Sequence, residues 1–485
     1  MSRVRAIAAA QLRLLLRSRL AVVALVLLAM LSGIAAITGA TQASRMAADR
    51  ATAQTAANTD FANQPDRHPH RMVHYGTYAL RPLGPLAAFD PGVDAFAGSL
   101  IYLEGHRQNA TTLGAARESS GLIRFGQLTP AFVLRVLVPL LLVFVGFAMI
   151  VAERQAGLFT LQLSHGAKAA ELIAGKALAL ALVAGVAALP ALAALAWAAV
   201  QSPAEAGIAA LMAVAALMAV AALLWLGLWV LGITLVSARA RSAQSALMAL
   251  VLAWAVLVVL VPRAAAGVAA LAHPLPTKAE TDLVIHQELR ALGDSHNPDD
   301  PHFAAFKAGL LKRYGVARVE DLPFNYRGAL SAEGERLTSQ LFARHAAETA
   351  AVQMQQHRLL ALVGVISPAI GFAQASMAGA ATDLASHLAF LDAAEAHRYR
   401  LIQSLNGLHT YQVRAADDAA RNKDPIAERQ SRISARFWAE QKPFHHAGPT
   451  MFDRMAGMLP GLAAMLLWAG LLLWQLIRSG RQEQP

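Results

Sequence analysis

The sequence predicts an all-α polytopic membrane protein with six transmembrane helices and two large, mainly helical extracytoplasmic inserts. Three observations carry this prediction. The 485 residues are 56% hydrophobic and only 15% charged, whereas soluble domains carry about 25% charged residues. Six apolar runs reach the roughly 20 residues that cross a bilayer. Lys and Arg flank these runs instead of forming one patch, so the net charge of +11 reads as membrane orientation and not as a nucleic-acid surface. Cysteine is absent, which excludes a disulfide framework, a thiolate metal site and a cysteine nucleophile. The Ala, Leu and Arg bias suits a high-GC bacterial genome.

The elements follow in order. Over 1–19, Val4, Ile7, Ala8, Leu12, Leu15 and Leu16 recur at helical spacing, with Arg3, Arg5, Arg13 and Arg17 on the remaining circumference. This pattern predicts an amphipathic helix lying in the membrane interface. The first span, 20–40, is longer than the roughly 7–15 apolar residues of a signal peptide core and is expected to stay uncleaved. The first insert, 41–130, opens with a polar stretch, Gln42–Asn63, expected to be helical, and then turns Pro- and Gly-rich at Arg81–Val93, which reads as loop and turn. Spans two to five fall at 131–152, 178–200, 208–236 and 245–262, within 131–262. Arg135, near one end of the second, is expected to snorkel to the outer interface.

The second insert, 263–454, is long enough for its own core. Helical stretches are expected at Glu333–His357 and Leu384–Ser404, and a loop at Asp294–Pro301. Leu359–Ala378 is uncharged and of span length. It reads as a buried or re-entrant helix broken at Pro368, because a crossing there would invert the last span, 455–477, and the tail, 478–485. Pro139, Pro190 and Pro460 sit inside spans. Arg3–Arg19, Arg154–Lys176, Arg239 with Arg241, and Arg478 with Arg481 share one side, while Gln201–Gly207 has no Lys or Arg. The positive-inside rule then places both termini in the cytoplasm and both inserts outside.

Between the second and third spans lies 153–176, ERQAGLFTLQLSHGAKAAELIAGK. A helix starts near Gly157, carries Leu158, Phe159, Leu161 and Leu163, and breaks at Gly166. A helix lying flat under a membrane can dock into a groove on a soluble partner; on pattern alone the stretch also fits an ordinary connecting loop. Gly175-Lys176 resembles the end of a phosphate-binding loop. Ala170 occupies the place of its first glycine, and Ala177 that of Ser or Thr, so the chain offers no Walker A motif.

These residues resemble the coupling helix of ABC-2-type transporter permeases. The matching positions are Glu153, Arg154, Gly157, Leu161, Leu163, Ser164, Gly166, Gly175 and Lys176. The sequence departs from the family at Leu158, often threonine, and at Gln155, often glutamate in a close subfamily. His68–Val93, Tyr102–Asn109, Asp321–Gly328, Gln374–Phe390 and Glu395–Arg400 resemble a large-ectodomain subfamily of these permeases whose substrate is not established. The layout is distantly similar to the permease of the nitrous-oxide reductase maturation system. The resemblance implies the transmembrane subunit of an ABC transporter in a bacterial inner membrane. It implies an ABC ATPase partner that binds ATP-Mg, a second permease copy or homologue, and export sooner than import. Glu153, Arg154, Gly157, Leu158, Leu161, Leu163, Ser164, Gly166, Gly175 and Lys176 would couple the ATPase to the spans, with no cofactor in this chain. The alternative is a non-transporting machine that passes ATPase motion to an extracytoplasmic partner.

An enzyme is not expected, since no HExxH and no Gly-x-Ser-x-Gly occurs. Glu333 and Glu335 read as a solvated helix face. His68, His70 and His74 form the sharpest ligand candidate, on an extended turn across Pro69, with His106, His296 and His302 as possible additions. The rival reading has these histidines and Asp90 bracing a loop-rich fold. His445 and His446 read as an exposed pair.

Overall fold

A computed structural model describes residues 3–112, 127–200, 207–293, 297 and 300–482. Gln201–Ala206 of the short expected loop, and most of Asp294–Pro301 including His296, lie outside the described residues. Among the described residues, six helices are long and apolar enough to cross a membrane: Ala21–Ala62, Pro130–Gln155, Ala169–Val200, Ile208–Arg239, Ala243–Ala272 and Met451–Arg481.

The first helix, α1 (Arg3–Arg17), packs against Ala169–Val200. Ser18 caps the next helix, α2 (Arg19–Ala62), accepting from the Ala21 N–H. At 44 residues and about 1.5 Å per residue, α2 is roughly twice as long as the bilayer core is thick. Its polar half, Gln42–Ala62, is helical as expected and carries the first insert. There Gln54 accepts from Leu80 N–H at 2.7 Å and donates to Tyr78 O at 3.0 Å. These bonds fix β1 (Thr77–Leu80), which pairs antiparallel with β2 (Leu100–Leu103), Thr77 opposite Leu103.

The spans meet through small side chains. Ala179, Ala184, Ala187, Ala188 and Ala191 are buried along Ala169–Val200, where small residues let helix backbones approach. Two spans carry a π-helical stretch, Val133–Leu137 and Ala255–Leu260, each ending just before a proline, Pro139 and Pro262. A proline has no N–H to give, so the carbonyls five residues earlier, Leu134 and Leu257, lose their helical donor. Neighbouring helices supply one instead: Trp225 Nε1 donates to Leu134 O at 3.1 Å, and Ser367 Oγ donates to Leu257 O. Near the other end of Pro130–Gln155 the helix loosens at Phe147–Ile150. The Ile150 and Val151 N–H groups there donate to Ser237 Oγ.

The uncharged stretch 359–378 is broken where expected. Helix α11 (Tyr326–Val363) ends, and Pro368 opens a separate helix, α12 (Pro368–Ala380). At 13 residues α12 is shorter than the roughly 20 needed to span. It is buried against Met451–Gln482 and Ile208–Arg239, with Phe372 stacked on Trp225. Glycine is required at the crossing with the last helix: a Cβ on Gly461 would lie 2.1 Å from Gly371 O.

The two inserts share a core. Phe61, Met72 and Val73 of the first pack with Leu401, Ile402, Leu405, Ile433 and Trp438 of the second. Trp438 Nε1 donates to Pro65 O at 3.0 Å, and Arg67 bridges to Ile433. Glu335 is a correction to the solvated face read from sequence. It is fully buried, because Arg398, on α13 (Leu384–Gln412), donates to it at 2.6 Å. The other Arg398 donors reach Glu395, Ser339 Oγ and Glu104 O, so a buried charge here is fully hydrogen-bonded. Glu333 is also mostly covered, by Arg336 and His302.

Candidate functional site

The end of the bundle away from the inserts gathers the basic segments. Arg154 donates to Ala238 O, Arg239 to Ser479 Oγ and Gln475, and Arg3 to Gly166 O at 2.8 Å. Within Glu153–Lys176 the local chemistry is legible residue by residue. Gly157 and Gly166 have φ of 73° and 82°, left-handed values that favour glycine. They bracket a two-turn helix, Leu158–Ser164. Ser164 Oγ and the His165 ring satisfy Leu161 O at its end. Gly175 admits α1: a Cβ there would meet Ile7 at 2.6 Å.

Lys176 is buried and lies 2.7 Å from Glu153, with Gln11 of α1 accepting a second hydrogen bond at 3.0 Å. The two ends of the segment are thereby tied together beneath α1. Phe159 is buried under the Arg154 guanidinium and Leu163 packs on the bundle, while Leu158 and Leu161 are 48% and 53% exposed. The structure therefore divides the ten residues. Glu153, Arg154, Gly157, Leu163, Ser164, Gly166, Gly175 and Lys176 build the segment, and Leu158 with Leu161 form its open apolar face. A cavity of about 470 Å³ lies beside it, lined by Arg3, Gln11, Glu153, His165 and Lys176 among others.

The histidines of the first insert do not form one extended turn. Proline suits the first helical position, so Pro69 starts a helix, α3 (Pro69–Tyr75), and His68 is its N-cap, accepting from His70 N–H. The His68 ring is consequently drawn to Asp418 and His409 and stays outside the His70–His74 pair. Its Nε2 is 3.1 Å from Asp418, whose other oxygen is 3.0 Å from His409 Nε2 and 3.1 Å from Asn325 Nδ2. Burial works against ionisation of Asp418, but the bonds from His409 and His68 prevail and hold its carboxyl far below the usual range. Burial, outweighing the Asp418 bond, lowers the His68 pKa.

His70, His74 and His106 form a second group whose ligand atoms lie within 4.8 Å of one another. Burial, then the neighbouring imidazoles His74, His106, His409 and His68, push His70 down to about 3. His302 pairs with Glu333 instead. Asp90 caps Gly92 N–H, and its carbonyl accepts from Thr382. Of the expected exposed pair, His445 is open but His446 is half-buried, because its ring packs on Phe390. Sequence reasoning missed the roles of Asp418, His409 and Arg398: Asp418 joins His409, nine positions away, to His68, 350 positions away, and Arg398 joins Glu395 to Glu335, 63 positions away, so no local pattern announces either group.

No curated protein matches the chain at a significant level. A family model described as a domain of unknown function (DUF3526) matches residues 278–447, most of the second insert. The model described as ABC-2 family transporter protein matches residues 5–301, which take in α1, the Glu153–Lys176 segment and five of the six spans. The chain is a multi-pass membrane protein of that family, the ABC-2 family of transporter proteins.

Proposed function

We propose that this permease works with a separate ABC ATPase and that Glu153–Lys176 receives the ATPase's motion. The observation that carries the reading is the exposed pair Leu158 and Leu161 on a short helix whose ends are fixed by Glu153, Lys176 and Arg3. An apolar helix face on a braced support suits a groove on a soluble subunit. In this reading ATP-Mg binds only the partner, two permease copies or a homologous pair meet two ATPases, and substrate is exported across a bacterial inner membrane. The termini and Glu153–Lys176 are cytoplasmic and the inserts extracytoplasmic, in keeping with the basic residues gathered at one end. The test is co-expression with a candidate ABC ATPase chain. Leu158→Asp with Leu161→Asp should lose the co-purifying ATPase while the permease keeps its thermal stability; full recovery of the ATPase would overturn the reading.

A second reading is favoured by α2, one unbroken helix from the basic end into the inserts. Such a rod suits transmission of motion to an extracytoplasmic partner without transport. ATPase activity that responds to a protein added on the insert side, with no solute flux in proteoliposomes, would decide for it.

A further inference from the structure

His70 and His74 are one turn apart on α3, so their rings leave the same face. Their Nε2 atoms are 3.3 Å apart. A tetrahedral cation held at about 2.0–2.1 Å by two imidazoles sets their nitrogens about 3.3 Å apart. His106 completes a triangle, its ring 5.2 Å from that of His74 and 6.0 Å from that of His70. Its placement is costly in backbone terms: φ is 68°, a left-handed value uncommon outside glycine.

What holds His106 there is the buried Glu335. The His106 N–H donates to Glu335 Oε2 at 2.8 Å, and Nδ1 lies 3.4 Å from the same oxygen. Arg398 locks the other oxygen. A carboxylate at one nitrogen of an imidazole fixes the ring for ligation through the other. The His68–Asp418–His409 group stands behind, with the Asp418 carboxylate taken up by His68, His409 and Asn325 and paired with Arg421. The two groups meet where the His70 N–H donates to His68 Nδ1 at 3.2 Å, capping the start of α3, and where the His70 and His409 rings lie 6.2 Å apart.

We propose that His70, His74 and His106 form a binding site for a divalent first-row transition cation of the zinc, copper or nickel class. Three imidazoles without a carboxylate in the triad suit those ions and not magnesium or calcium. His74 is exposed, so the fourth position faces solvent and takes water or an exchanging ligand. The ion would fasten the loop after β2 to α3, and through Glu335 to α11. The site does not depend on the ATPase reading.

The test uses the full chain without a polyhistidine tag, in detergent, stripped by chelator and titrated with Zn²⁺ alone, then with Co²⁺ as a spectroscopic probe. The expected result is one tight equivalent per chain and the visible absorption of tetrahedral Co²⁺. His74→Ala, at an exposed position, and His106→Asn, which tolerates the left-handed backbone, should each weaken binding by at least the roughly 10–100-fold that losing an outer-shell partner costs. His302→Ala should bind as the parent does. Unchanged thermal stability of the apo variants separates ligand loss from unfolding. The proposal is overturned if the parent takes up no tight equivalent, or if His74→Ala and His106→Asn titrate like the parent.

Discussion

Lys176 Nζ lies 2.7 Å from the Glu153 carboxylate, joining the two ends of a segment whose middle seats Phe159 on the bundle and turns Leu158 and Leu161 outward. Lys176 is 3% exposed at the side chain and Glu153 20%, so the pair is internal. Glu153 is therefore a support for the Leu158–Ser164 helix and not itself an outward contact. Removing one charge from a buried pair costs about 3–5 kcal/mol, because the other is stranded. Lys176→Met should lower the melting temperature in detergent, and Glu153→Gln with Lys176→Met should regain part of the loss. Equal melting temperatures for Lys176→Met and the parent would show the pair to be idle.

Sidedness is open to direct labelling because the chain has no cysteine. Asn63→Cys and Ile426→Cys, both on the inserts, should react with an impermeant maleimide in intact spheroplasts. Leu161→Cys should react only after lysis. Labelling of Leu161→Cys in intact cells would invert the proposed orientation.

The Gly371–Gly461 crossing should tolerate no side chain. With a Cβ 2.1 Å from the Gly371 carbonyl, Gly461→Ala forces α12 and the last helix apart. Overpacking of this kind costs about 1–3 kcal/mol. The expected readout is a lower melting temperature, while Gly470→Ala, where no atom lies within 4 Å of the added Cβ, stays near the parent.

The orphaned Leu134 carbonyl gives a smaller effect. Trp225→Phe keeps the ring but removes the donor that replaces the missing Pro139 N–H. Interhelical bonds in membranes are worth about 0.6–2 kcal/mol, so a modest fall in stability is expected. Restoring an N–H with Pro139→Ala in the same chain should recover it if the carbonyl is the cause.

Stability of the inserts should fall as the medium is acidified. Burial, and after it the Arg81 charge, lower His387 to about 4, with Asp94 opposing. Asp94 is itself held by Arg50 and Arg81. Unfolding returns His387 to about 6.5, so the unfolded chain binds the extra proton between these values. The contribution is whole above about pH 6.5 and declines toward pH 4, at no more than about 1.4 kcal/mol per pH unit. His387→Gln should flatten the melting temperature over that window; an unchanged slope would acquit His387.

The spans were legible because a bilayer imposes length and apolarity, and the break at Pro368 because proline ends a helix. The Leu158–Ser164 helix was legible because Gly157 and Gly166 punctuate it and apolar residues fill it. The histidine geometry was only half legible. His-Pro-His reads as extended, yet Pro69 is a good first helical residue, which sends His68 to Asp418 and pairs His70 with His74. Glu335 looked like one more charge on a polar helix. Its burial depends on Arg398, 63 positions away, and no local pattern announces that pairing. Neither the nine positions that match the family nor Leu158, which departs from it, told the two residues that face outward from the eight that brace.

The shared core of the inserts bears on how the chain is made. Met72 and Val73 are synthesised long before Trp438, and His68 precedes its Asp418 partner by 350 positions. During that interval four spans enter the membrane while the first insert stands without the surface that completes it. Its apolar side chains and the Arg67 backbone are then open to wrong partners until the last third of the polypeptide arrives. Truncation after the fifth span should therefore leave a bundle in the membrane with an unfinished, protease-sensitive segment attached. Quality control of this protein would act on the first insert, although the missing information lies in the second.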